Sequence, residues 1–174
     1  VVAHFNHVEA IYDAVFFYHC GLSQVYLDAA AIEYASVCDN SHIVSVFPIA
    51  GYKKQQVEKI LSAFGSIVYE KQVHLYNSGP VNALAQMYKG EHWLGRRENG
   101  WPGALEHAKN KFAEKGPMHV YLYVCSDIEQ VNEAKEEIRG LFPFGNDSIH
   151  INDSHEETIR LAQQLFNENT LHLF

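Results

Sequence analysis

The chain has 174 residues, 47% hydrophobic and 20% charged, with a formal net charge of −8. That length supports one well-buried core and is short for two. The acid excess excludes a general nucleic-acid binder, which needs a basic footprint to displace counterions from phosphates, but it leaves room for a small anionic ligand in a local basic pocket.

The chain opens "VVAHF" without a methionine, which reads as a trimmed chain or part of a longer protein. Residues 1–41 are the hardest to assign. "DAVFFYHC" (13–20) suggests a strand and "SQVYLDAAAIEYASVC" (23–38) a helix, with an all-helical reading of the whole segment standing beside them. Cys20, Cys38 and Cys125 are far apart and form no Cys-x-x-Cys pair. An odd count without metal spacing points to reduced thiols in a cytoplasmic protein. No run reaches the ~18 apolar residues a membrane helix needs, and no signal peptide is visible.

From residue 42 the pattern is clearer. "HIVSVFPIAG" (42–51) is a β-branched run closed by a Pro/Gly loop, hence a strand. "YKKQQVEKILSAFG" (52–65) places Val57, Ile60, Leu61 and Phe64 at helical spacing, with Gly65 as the stop. "SIVYEKQVHL" (66–75) returns as a strand. "NSGPVNALAQMY" (77–88) begins another helix, with Pro80 in its first turn and Val81, Leu84, Ala85 and Tyr88 on one face.

"KGEHWLGRRENGWPG" (89–103) is rich in Gly and Trp, has no periodicity and reads as a long functional loop. "ALEHAKNKFAEKG" (104–116) is a short helix. "MHVYLYVC" (118–125) is apolar or aromatic at nearly every position, as in a central strand covered on both faces. A helix over 126–142, a short strand in "SIHIND" (148–153), a helix in "SHEETIRLAQQLF" (154–166) and a last strand in "TLHLF" (170–174) complete the order.

Strand, helix, strand, helix therefore occurs twice, over 42–88 and 118–174, with residues 89–117 between them. Both units carry "QV" in the first helix, "SI" at the second strand and "LAQ" in the second helix, which suggests a duplicated βαβα unit. Similar physics acting on two unrelated units gives the same look. The expectation is a single α/β domain, with a mainly parallel or mixed sheet and packed helices. The competing arrangement is a ferredoxin-like α+β two-layer sandwich, which two split βαβ units also build.

The densest polar run is "SIHINDSHEE" (148–157), at the strand-to-helix junction. Ser154 and Glu157 form a capping box, and Glu156 and Glu157 suit the positive end of a helix dipole. His150, Asn152, Asp153 and His155 have no such local explanation. His150 and Asn152 stand at the carboxyl end of a strand, where open α/β sheets bind ligands. The expected roles are proton transfer by His150 or His155, orientation by Asp153 and ligand contact by Asn152. His150, Asp153 and His155 give a His-x-x-Asp-x-His set that a divalent metal could use, but the spacing matches no established ligand motif, and the cofactor is unknown.

Arg96 and Arg97, bracketed by Trp93 and Trp101, form an arginine pair suited to a phosphate or carboxylate. The structural alternative has the tryptophans anchoring the loop and the arginines pairing with surface acids. Lys53 and Lys54 start a helix against its dipole, a cost a bound anion would offset, although solvated lysines explain them as simply. Ser126 with Glu129 reads as a second capping box, with Asp127 beside it.

There is no phosphate-loop, dinucleotide, nucleophile-elbow or zinc-protease motif. The reading reached is binding of a nucleotide, sugar phosphate or carboxylate by Arg96, Arg97, Asn152 and Lys53. The chemistry that fits is transfer or hydrolysis at a phosphate-bearing group, by His150, Asp153 and His155. A non-catalytic interaction module, or a piece of a larger enzyme, is the alternative. Oligomeric state is not legible.

Overall fold

A computed structural model describes residues 24–171; the strand expected at 13–20 and the end of 170–174 lie outside them. The elements are α1 (Gln24–Val37), β1 (Ser41–Val46), α2 (Lys54–Phe64), β2 (Ser66–Val73), α3 (Gly79–Met87), α4 (Pro102–Lys111), β3 (Met118–Val124), α5 (Ile128–Gly140), β4 (Ile149–Ile151), α6 (His155–Leu165) and α7 (Glu168–Leu171). Thr170 and Leu171, expected in a closing strand, are helical. Among the described residues no helix is long and apolar enough to cross a membrane.

The sheet corrects the expected fold class. Its order is β2-β3-β1-β4, and every ladder is antiparallel. The chain is α+β, without the parallel or mixed sheet. Each strand–helix–strand crossover does return its second strand parallel to the first, but one position away. β3 fills the gap between β1 and β2, and β1 fills the gap between β3 and β4. Among the described residues, two interleaved βαβ units thus make a sheet with no parallel neighbours.

Nor are there only two layers, because helices cover both faces. Ile43, Val120 and Leu122 pack on one face with Ala31 and Tyr34 of α1, Leu84 of α3, Ala104 of α4 and Leu161 of α6. Val44, Val46, Tyr121, Tyr123 and Ile149 pack on the other, with Val57 and Leu61 of α2 and Val131 and Ile138 of α5. This double cover explains why β1 is buried along its whole length and β3 along nearly all of it. Alternate side chains serve different cores, so neither strand carries a polar face.

β2 is an edge strand with a bulge between Ile67 and Tyr69, and a buried ion pair joins it to α1. Lys71 Nζ lies 2.7 Å from Asp28 Oδ2, each side chain 5% exposed. The Tyr69 hydroxyl donates to the other carboxylate oxygen at 2.6 Å, and Glu168 reaches the same ammonium at 2.7 Å. Burial first, and Asp28 second, push the Tyr69 hydroxyl far above its ordinary pKa, so the phenol keeps its proton and donates.

The loop after α3 is held by shape. A Cβ on Gly103 would stand 1.9 Å from the Trp93 carbonyl oxygen, so only glycine lets α4 begin there. Trp93 meets Tyr88 edge-on at 5.0 Å and His107 at 4.4 Å, and Trp101 packs on the first core. The tryptophans therefore anchor the loop.

Lys71→Met removes one partner of a buried pair and should cost about 3 kcal/mol in urea unfolding, whereas Lys71→Met with Asp28→Leu should recover most of that loss. A single variant of wild-type stability would mean that the pair is not dry.

Candidate functional site

The β4–α6 junction holds four of the residues singled out by the sequence, and the structure divides them. β4 pairs with β1 through Ile149, His150 and Ile151 only. The next ladder position is completed by a side chain: Asn152 Oδ1 accepts from the Ile43 amide. Asn152 Nδ2 donates to the Ser154 carbonyl and to Thr158 Oγ1, each at 2.7 Å. Thr158 in turn donates to the Ser41 carbonyl at 2.7 Å. Asn152 is 0% exposed, and all its polar atoms bind protein groups. His42 Nδ1 donates to the Asn152 carbonyl at 3.2 Å, and burial lowers the His42 pKa despite that bond.

His155 also makes packing contacts, its Nε2 donating to the Ala35 carbonyl at 2.8 Å and its Nδ1 3.4 Å from Asp39. It docks α6 against the end of α1. Ser154 caps α6 by accepting from the Glu157 amide at 3.3 Å. At the start of α5 the cap is Asp127, accepting from the Glu129 amide at 2.9 Å, where a Ser126 capping box was expected.

His150 and Asp153 face a cleft of about 430 Å³ beside β4. Because Ile149 and Ile151 point into the second core, His150 points the other way, with its ring 4.8 Å from that of Tyr88. His150 Nε2 lies 3.4 Å from Glu157 Oε1, near enough for an ion pair when the ring is protonated. The contact lacks hydrogen-bond geometry, and Nε2 is buried without a hydrogen-bond partner. Glu157 also meets Arg160 at 3.3 Å, while Arg160 reaches the Gln86 and Met87 carbonyls at the end of α3, where a cation suits the helix dipole.

Lys135 and Arg139, four residues apart on α5, line the same cleft. Lys135 pairs with Asp153. Arg139 Nη1 donates to Glu136 at 2.7 Å, but its Nε is buried and without a partner. Lys89, just past α3, is exposed at the rim. Behind Tyr88 lies Lys111, 3% exposed, 3.0 Å from Asp147 and 4.6 Å above the Phe47 ring. Burial lowers its pKa, partly offset by Asp147. Burial also holds the Tyr88 hydroxyl well above its usual range.

The remaining predicted residues lie elsewhere. Arg96 and Arg97 are exposed, and Arg97 lines a separate cleft with Trp101, Gln86 and Gln164. Lys53 follows β1, whose carboxyl end is at the sheet edge opposite to those of β3 and β4. Its ammonium donates to the Leu141 carbonyl at 2.7 Å, at the end of α5, and stands over the Tyr52 and Phe142 rings. The cleft that Asp153 lines includes neither Arg96 nor Asn152, and among the described residues no group of three or more His, Cys, Asp or Glu is placed to hold a metal.

Sequence reasoning missed Tyr88, taken as a core residue, and Lys135, Arg139 and Lys89. The four-residue spacing of Lys135 and Arg139 puts them on one face of a helix, but only the structure brings that face beside His150. No family model matches the sequence, and no curated protein matches it.

Two expectations follow from the Asn152 network. Asn152→Ala leaves the Ile43 amide and the Thr158 hydroxyl each without one bond, and should lower unfolding free energy by about 2–4 kcal/mol in chemical denaturation. His42 has a folded pKa below its unfolded value of 6.5, so its contribution is complete above pH 6.5 and is lost as pH falls through the folded pKa. Between pH 7 and pH 5 the wild type should lose more stability than His42→Gln; parallel curves would refute this.

Proposed function

We propose that the protein binds a small anionic ligand, a nucleotide, sugar phosphate or carboxylate, in the cleft beside His150. One observation carries the reading: His150 Nε2 and Arg139 Nε, on two residues lining one cleft, are both buried and make no hydrogen bond. Buried polar groups are nearly always satisfied, and a ligand that draws the two side chains toward the cleft would satisfy both. Lys89 at the rim adds a cation with no partner among the described residues. The volume suits a small molecule.

A reaction consistent with this set is transfer or hydrolysis at a phosphate-bearing group. His150 would move the proton, with Glu157 rather than Asp153 orienting the ring, and Arg139 and Lys89 in place of Arg96 and Arg97 would meet the anion. The free thiols of Cys38 and Cys125 support a cytoplasmic setting. A second reading, an interaction module, draws on Tyr52, which is 66% exposed and packs edge-on against Phe142.

Binding of inorganic phosphate, AMP and glucose 6-phosphate by calorimetry tests the proposal. Arg139→Ala and His150→Ala should each weaken every phosphate ligand that binds, by about tenfold or more, the worth of a charge-assisted hydrogen bond. Arg96→Ala with Arg97→Ala should leave affinity unchanged. The reverse pattern would move the site to the Arg97 cleft.

A further inference from the structure

We infer that the cleft beside His150 takes a hydroxyl-rich phosphate ester, a sugar phosphate, in preference to a nucleotide or a bare anion; this rests on the anion-binding reading above and narrows it. The lining is balanced in charge. Against Lys89, Lys135, Arg139 and Arg160 stand four carboxylates, Glu91, Asp153, Glu156 and Glu157. A site for inorganic phosphate alone gains nothing from four acids, since each raises the cost of bringing in a dianion. For a polyol phosphate the same acids are acceptors for hydroxyl groups, while the cations meet the phosphate.

Some of these groups already hold one another. Arg160 is tied to the end of α3 and to Glu157, and Lys135 is tied to Asp153. What remains uncommitted is mixed in kind. Arg139 Nε and His150 Nε2 lack hydrogen-bond partners, His150 meeting Glu157 only at 3.4 Å. Among the described residues, the Lys89 ammonium and the exposed Glu91 and Glu156 carboxylates make no ion pair or side-chain hydrogen bond. Unused donors and unused acceptors in one cleft are the requirement of a ligand that carries both phosphate oxygens and hydroxyls.

A nucleobase finds little here. Of the apolar side chains in the lining, Met87 and Ile151 are each 1% exposed and present no surface. The third, Tyr88, already has Trp93 at 5.0 Å, His150 at 4.8 Å and the Lys111 ammonium at 6.0 Å from its ring. The Tyr88 ring is thus already packed by three neighbours, which disfavours the stacking that usually holds a base.

The test is calorimetric titration of the wild type and of Glu91→Gln with Glu156→Gln, using glucose 6-phosphate, inorganic phosphate, AMP and glucose. The wild type should bind glucose 6-phosphate at least tenfold more tightly than phosphate or AMP. The double variant should lose most of that margin, with phosphate binding unchanged or stronger and an unaltered melting temperature showing an intact fold. Equal affinity for phosphate, AMP and glucose 6-phosphate, or a margin that survives in the variant, would overturn the sugar-phosphate assignment while anion binding stands. No binding of any phosphate-bearing probe, or equal binding of glucose and its phosphate, would remove the anion reading and this inference together.

Discussion

The carboxamide of Asn152 fixes the arrangement on which the cleft depends. β4 has only three residues, too few for its ladder alone to hold a sheet edge. Asn152 extends the pairing by using its side-chain oxygen where a backbone carbonyl would stand, and its amino group turns the chain into α6. One buried side chain thus joins β1, β4 and the first turn of α6. Because it is fully satisfied, its burial costs little, and loss of any single bond would expose a desolvation penalty. The orientation of His150, one strand residue from Ile151 and two from Asn152, follows from that anchorage.

Interleaving of the two βαβ units decides which residues meet. In a parallel sheet the segments after all strands would gather at one edge. Here β1 and β2 end at one edge and β3 and β4 at the other, and Lys53, bound to the Leu141 carbonyl, does not line the cleft beside His150. α5 follows β3 and packs on the far face beside β4, so Lys135 and Arg139 approach the cleft from one side while Tyr88 and Arg160 approach from the other. The cleft straddles the short edge strand and draws residues from three helical regions, none adjacent in sequence.

The proposed anion binding in the cleft rests on imbalance between geometry and pairing. Most charged groups nearby are matched with a partner or a helix end, which is ordinary stabilisation. His150 and Arg139 depart from this, each keeping a buried nitrogen without a hydrogen bond, although His150 Nε2 stands 3.4 Å from Glu157. A nitrogen withdrawn from water without compensation is a cost the fold bears, and a ligand oxygen would relieve it. The same argument sets Asn152 and His155 aside, since their polar atoms already bind protein groups.

Much of the local structure was legible in the sequence. Hydrophobic spacing located the strand and helix segments from residue 42 to 166, because period 2 and period 3.6 are properties of neighbouring residues. The capping role of Ser154 was legible for the same reason, and the polar density around His150 marked the β4–α6 junction, part of which lines the cleft. What decided the rest acts over distance. Asn152 bonds to Ile43, 109 positions away, and His155 to Ala35, 120 positions away; no local pattern distinguishes a polar side chain with such a partner from one facing solvent. Strand order was likewise open, since a βαβ unit reads the same whether its strands touch or admit a third between them. The sequence by itself determined most elements between residues 42 and 166 and their inward faces, though not the helical turn at Glu168–Leu171. Only tertiary packing, by inserting each unit's first strand into the other, made the sheet antiparallel and brought Arg139 to His150.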